Sequence, residues 1–132
     1  KEINDRHGHA AGDKVLKEFS RRLRSAIRAS DVPIRVGGDE FLVILPECPP
    51  DQVNRVLSRL TAFDLALDGG KTVHVSYSRG VARYQVGDTV NAMIKRADER
   101  LYAEKAKRSA SLDNSTPPGG GTRGDSTPDN AT

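Results

Sequence analysis

The stretch RVGGDEFLVIL, Arg35 to Leu45, places two glycines and two acids inside an otherwise apolar run. The apolar segments on either side, Pro33 to Val36 and Phe41 to Leu45, are short and rich in β-branched residues. Gly-Gly-Asp-Glu between them predicts a β-hairpin. A hairpin tip projects from a rigid scaffold. Gly37 and Gly38 can adopt positive φ there, and with no side chains they let a bulky anion approach the backbone. Asp39 and Glu40 follow on adjacent positions, so their carboxylates point to opposite faces of the strand. A carboxylate beside a phosphate site makes chemical sense if Mg²⁺ lies between them, since this ion takes one or two protein carboxylates and completes its octahedron with phosphate oxygens and water. The same residues also suit a solvated turn, and taken alone they leave both readings open.

Working outward, Val15, Leu16, Phe19, Leu23, Ala26 and Ile27 recur at helical spacing and predict an amphipathic helix from about Ala11 to Ala29. Residues 1–10 read as a loop entering it. Asp51 suits the N-cap of a second helix that buries Val53, Val56, Leu57, Leu60 and Phe63. Asp68-Gly69-Gly70 turns the chain into a strand, Thr72 to Ser78, continuing past Gly80 to Tyr84. Val90, Met93, Ile94, Ala97, Leu101 and Tyr102 mark a third helix. The order α-β-β-α-β-α predicts an α+β fold, with a mostly antiparallel central sheet flanked by helices.

Composition bounds the rest. The 132 residues, 36% of them hydrophobic, suffice for one domain with one core. No apolar run approaches the roughly 18 residues that span a bilayer. The lone Cys48 excludes an intrachain disulfide framework. From Ser109 the chain is nearly all Ser, Thr, Pro, Gly, Asn and Asp, which reads as a disordered tail over 109–132 following a domain over 1–108. The tail carries three Asp against one Arg, so the formal +3 of the chain becomes +5 on residues 1–108. That excess suits an anionic ligand. It lacks the basic runs and interleaved aromatics of a nucleic-acid binder.

GGDEF, Gly37 to Phe41, resembles the name-giving motif of the GGDEF family, the diguanylate cyclases that make cyclic di-GMP from two GTP. The pattern Lys1, Asn4, Asp5, Gly8, His9, Gly12, Asp13, Leu16 is similar to the family's upstream block. RASDVPIR (Arg28 to Arg35) and RADERLYAEK (Arg96 to Lys105) are similar to its segments before the hairpin and in the last helix.

The resemblance implies a nucleotidyl cyclase or polymerase palm-like fold and a set of site residues. Asp39 would be an essential metal ligand, with Glu40 supporting it and Gly37 and Gly38 lining the phosphates. Asn4 and Asp13 would recognise guanine, and Lys1 and Lys105 would touch the triphosphate. Arg28 and Asp31, with Arg59, would form an inhibitory site for cyclic di-GMP. His7 and His9 carry no metal reading. Two Mg²⁺ per site, a homodimer for catalysis, an upstream sensor or regulatory domain and a cytoplasmic location are implied in the same way. So is a further strand with a second metal-binding Asp before Lys1, which makes the chain read as an N-terminally truncated domain, inactive by itself. The family commonly continues Gly-Arg-Asn after the last helix, where this chain has Ala106-Lys107-Arg108, and Arg79 stands where relatives place an apolar residue. A different reading is a catalytically silent domain that binds cyclic di-GMP as a receptor or interaction module.

Overall fold

A computed structural model of the chain describes residues 2–113. The chain divides into two compact units, Lys1–Tyr77 and Ser78–Thr132.

The first unit opens with two helices, α1 (Glu2–His7) and α2 (His9–Ala26). The expected loop at the N-terminus is thus helical, and the long helix starts and stops a few residues earlier than its apolar spacing predicts. Gly8 makes the joint. Its φ of 84° lies in the left-handed region, where a residue with a Cβ is strained. Its N–H donates to the Asn4 carbonyl, and its own carbonyl accepts from Gly12. The other end of α2 is set by chemistry: Ile27 turns extended, and the Asp31 carboxylate accepts the Arg28 N–H in competition with helical bonding.

Strands β1 (Val32–Gly37) and β2 (Glu40–Ile44) form the predicted antiparallel hairpin, with Val32 opposite Ile44, Ile34 opposite Leu42 and Gly37 opposite Glu40. Helix α3 (Pro50–Arg59) follows, with Pro49 rather than Asp51 at its N-cap and Pro50 in the first turn, where its missing N–H costs no bond. Phe63, expected on this helix, instead begins a strand that the sequence reading missed. β3 (Phe63–Ala66) pairs antiparallel with β4 (Thr72–Val75) across a 3₁₀ turn at Asp68–Gly70, in which Gly69 and Gly70 both have positive φ. Alternation is clean here: Phe63, Val73 and Val75 are buried, while Asp64, Thr72 and His74 face water. The described strands therefore form two two-stranded ladders, an antiparallel α+β arrangement in which the expected single sheet is divided.

Helix α2 is the spine of this unit. Val15 packs with Phe63, Val73 and Val75, and Leu23 and Ala26 pack with Val56 and Leu60. Phe19 touches both clusters, with ring centroids 5.1 Å from Phe41 and 5.3 Å from Tyr77, within the range of favourable aromatic pairing. The two ladders and α3 are thereby held against one helix.

In the second unit, residues 78–89 carry no strand, so the predicted continuation to Tyr84 is not formed and β4 ends at Val75. The segment is clipped to α4 (Val90–Asp113) by arginines. Arg96 donates to Asp88 and to the Arg83 carbonyl, Arg100 to the Val81 carbonyl, and Arg108 to the Ser78 hydroxyl. Two of these bonds satisfy backbone carbonyls, of Val81 and Arg83, that a strand would have paired within a sheet. Arg79, exposed in this segment, interrupts no packed strand face. Thr89 caps α4 through its hydroxyl to the Ala92 N–H. The helix continues through Ser109 to Asp113, past the boundary expected at residue 108; the remainder of the expected tail lies outside the described residues.

Candidate active site at the hairpin

Pairing of Gly37 with Glu40 leaves Gly38 and Asp39 as a two-residue turn. Only Gly38 adopts positive φ, at 52°, and Gly37 does not. An irregularity in the register between Arg35 and Gly37 twists the tip, as bulges do. A Cβ built on Gly37 or Gly38 would meet nothing within 4 Å, so the face over both glycines is open to a ligand. Residues 37–40 are all exposed. The turn is braced from β1: the Arg35 guanidinium donates through Nε (3.1 Å) and Nη2 (2.8 Å) to the Gly38 carbonyl. Arg35 had no place among the expected site residues. Its signal was present, a cation two residues before the glycine pair.

Asp39 and Glu40 offer hard oxygen donors. Among the described residues no third His, Cys, Asp or Glu joins them in a metal-holding cluster, and His7 and His9 form none. Mg²⁺ takes one or two protein carboxylates and completes its shell with phosphate oxygens and water, so hard oxygen donors beside an open glycine turn suit it in chemical type.

Asn4 and Asp13 come from the two helices joined at Gly8, and both are exposed. The Asn4 amide lies directly over Gly12: a Cβ at Gly12 would fall 1.6 Å from Asn4 Oδ1. Gly12 therefore seats Asn4 next to the residue that carries Asp13. Asp13 in turn lines an open groove of about 440 Å³ together with Arg35, which brings the start of α2 and the hairpin to one surface of the first unit. Lys105 is exposed on α4, in the second unit, and Lys1 lies outside the described residues.

Arg28 and Asp31 are bound to each other. Arg28 donates to Asp31 from its backbone N–H (2.8 Å), from Nε (3.2 Å) and from Nη2 (2.9 Å). Its remaining donors reach the Gln52 side-chain oxygen at 3.1 Å and the Pro46 carbonyl at 2.9 Å. The Asp31 side chain has no solvent exposure. Burial pushes its carboxyl up, but the side-chain and backbone bonds from Arg28, with a further one from Ser30, outweigh burial and hold it below the usual value. Sequence reasoning grouped Arg28 and Asp31 with Arg59 as a site for cyclic di-GMP. It missed Gln52 and Pro46, whose long-range contacts leave no local signal. Arg59 ends α3 and is exposed. Seven residues after Gln52, it lies on the same face of that helix, about 10 Å along the axis.

Residues 1–111 match the family model described as diguanylate cyclase, GGDEF domain. The chain belongs to the GGDEF family. This GGDEF chain is 43% identical over 113 residues to the response regulator PleD of Caulobacter vibrioides, covering 80% of the chain and 25% of PleD. To the diguanylate cyclase TpbB of Pseudomonas aeruginosa it is 41% identical over 110 residues, covering 80% of the chain and 25% of TpbB. It thus spans about a quarter of the length of these relatives. Among solved structures, diguanylate cyclase SiaD in complex with its activator SiaC, from Pseudomonas aeruginosa, superposes with a TM-score of 0.71 at 33% identity, covering 80% of this chain and 42% of that one. The GGDEF domain of TpbB, also called YfiN, gives 0.70 at 37% identity, with 80% and 69% covered. The antiparallel α+β fold of this chain is therefore the GGDEF fold. Among the described residues no helix is long and apolar enough to cross a membrane.

Proposed function

We propose that this GGDEF domain condenses two GTP into cyclic di-GMP, as the names of its cyclase relatives suggest. The observation that carries the reading is the hairpin tip: two glycines with open space above them, followed by two adjacent exposed carboxylates and braced from behind by Arg35. In each of two steps a 3′-hydroxyl attacks an α-phosphorus, a new P–O bond forms, the bond to the β-phosphate breaks, and pyrophosphate leaves while the hydroxyl proton is lost. Catalysis then rests on positioning and charge rather than on a covalent enzyme intermediate. Asp39 and Glu40 would hold Mg²⁺, which when bound neutralises phosphate charge and polarises the attacking hydroxyl. Asn4 and Asp13 would hold the base. A carboxylate accepts from guanine N1–H and N2–H₂, which adenine does not offer together, and leaving such groups unpaired discriminates by about 10⁴-fold or more. Lys1 and Lys105 would contact the phosphates. Two domains, each with one GTP, must meet, so a homodimer is part of the reading, as are cytoplasmic GTP and control by another domain or partner.

Arg28, Asp31 and Arg59 would bind the product. The hairpin keeps both acids, which favours a cyclase over a receptor with a vestigial active site.

The test is Asp39→Asn in the full-length protein. The amide keeps the side chain's size and removes the charge that a hard cation needs. Product formation from GTP, followed chromatographically, should fall by about 10²-fold or more with the thermal midpoint unchanged. Turnover at the wild-type rate would reduce Asp39 to a turn residue.

A further inference from the structure

Most of Arg28 is already committed within the protein. A guanidinium carries five N–H groups. Asp31 accepts from Nε at 3.2 Å and from Nη2 at 2.9 Å, and the Pro46 carbonyl accepts the other Nη2 hydrogen at 2.9 Å. Gln52 Oε1 accepts from Nη1 at 3.1 Å, which leaves one N–H, also on Nη1. The positive charge is answered by the Asp31 carboxylate. The bond from Nη1 also orients Gln52. A guanidinium only donates, so the amide atom facing it must be the oxygen, and the NH₂ group is turned the other way. That NH₂ has no partner among the described residues. An unconstrained glutamine amide presents a donor and an acceptor side by side and suits adenine, whose Hoogsteen edge offers N7 and N6–H₂. Locked by Arg28, the amide presents donors alone. Guanine N7 and O6 are both acceptors, and they match the Gln52 NH₂ beside the last Nη1–H.

The charge of a ligand falls to the same helix. Arg55 and Arg59 follow Gln52 by three and seven residues on one face of α3, and neither guanidinium has a partner among the described residues. Two unpaired arginines next to a donor-only amide suit a ligand that combines guanine with phosphodiesters. We infer that Gln52, held in its donor-only orientation by Arg28, reads the guanine of cyclic di-GMP, while Arg55 joins Arg59 in meeting the phosphates. This rests on the product-site reading above and names the residue that gives that site its base specificity.

The experiment titrates the full-length protein by calorimetry with cyclic di-GMP and with its adenine counterpart, cyclic di-AMP. The wild type should prefer cyclic di-GMP by about ten-fold or more. Gln52→Glu keeps the acceptor that Arg28 holds but replaces the NH₂ with a second acceptor, which repels N7 and O6 and can accept from N6–H₂. It should bring the preference close to parity with the thermal midpoint unchanged. The preference decides, because both dinucleotides carry the same charge and the new carboxylate repels their phosphates equally. Gln52→Ala should weaken cyclic di-GMP about three- to ten-fold, the loss of a neutral hydrogen bond. Arg55→Ala should weaken both dinucleotides alike, by about ten-fold, and wild-type affinities there overturn the assignment of Arg55. An unchanged preference in Gln52→Glu reduces Gln52 to a prop for Arg28 and overturns the base assignment. So does a wild type that binds both dinucleotides equally. A wild type that binds neither sinks the product-site reading itself, and the inference with it.

Discussion

Two glycines show how one residue type serves opposite ends. At Gly12 the obstacle to a methyl group is the tip of the Asn4 side chain, and at Gly80 it is backbone, the Ala97 carbonyl at 1.9 Å and the Leu101 nitrogen at 2.5 Å. A side chain can swing away, but a helix cannot. Gly12→Ala should therefore leave stability unchanged or raise it by up to about 1 kcal/mol, since Ala is the better helix former. It should also displace Asn4 and raise the GTP concentration at half-maximal rate. Gly80→Ala should lower stability by about 1–3 kcal/mol through overpacking, with the remaining folded fraction binding GTP normally. Denaturant melts and GTP titrations of both variants check this. A Gly12→Ala variant with wild-type GTP dependence would detach Asn4 from the base. The sequence held both glycines, but not what stands above them. That depends on contacts with Asn4, eight residues away, and with Ala97, seventeen residues away, which no local pattern encodes.

Elements were legible where one periodicity ruled. Helix α2 and the β1–β2 hairpin were found because each shows a single apolar repeat bounded by turn residues. Strand β3 was missed because Phe63 falls three residues after Leu60 and so continues the helical spacing of α3, although Phe63, Leu65 and Leu67 also alternate into the Asp68-Gly69-Gly70 turn. The strand won because Phe63 and Leu65 face Val75 and Val73 across the ladder and bury against Val15. On α2 itself, the charges make a pH prediction. Glu18, bonded first by Arg21 and then by Arg22, is held at about 2, below its ordinary 4.5. Its depressed folded value means that its contribution is fully present above the unfolded pKa and fades as pH falls from about 4.5 towards 2. Asp88, held at about 2 by Arg96 and the Gln85 N–H, acts with the same sign in the second unit. Glu18→Gln should flatten the acid limb of stability against pH and lower stability at pH 7 by the same modest, solvent-screened amount, since both read one contribution. An acid limb of unchanged slope would show that the Glu18 fork contributes nothing to it.

At the scale of the molecule, two surfaces of the first unit have separate chemistry. One centres on the hairpin tip and the start of α2, and the other joins the end of α2 to the start of α3 through Arg28, Asp31, Pro46 and Gln52. The second was only half legible in sequence, because Arg28 and Asp31 are neighbours but Gln52 and Pro46 reach them through the fold. Its geometry also dictates which substitution can test product binding. Removing Arg28 strands a buried carboxylate, so a loss of binding would be mixed with a loss of fold. Arg59 avoids this. It is exposed at the end of α3, and lies on the helix face that carries Gln52, where its guanidinium can reach phosphate oxygens or a guanine edge. Arg59→Ala should weaken cyclic di-GMP binding about ten-fold, the loss of one charge-assisted contact, with an unchanged thermal midpoint. It should also raise by a similar factor the product concentration that halves GTP turnover, without changing the initial rate. Calorimetry with cyclic di-GMP and initial-rate assays with added product measure the two effects. Equal affinities would remove α3 from the product site, and a parallel loss of initial rate would show that the two surfaces work as one.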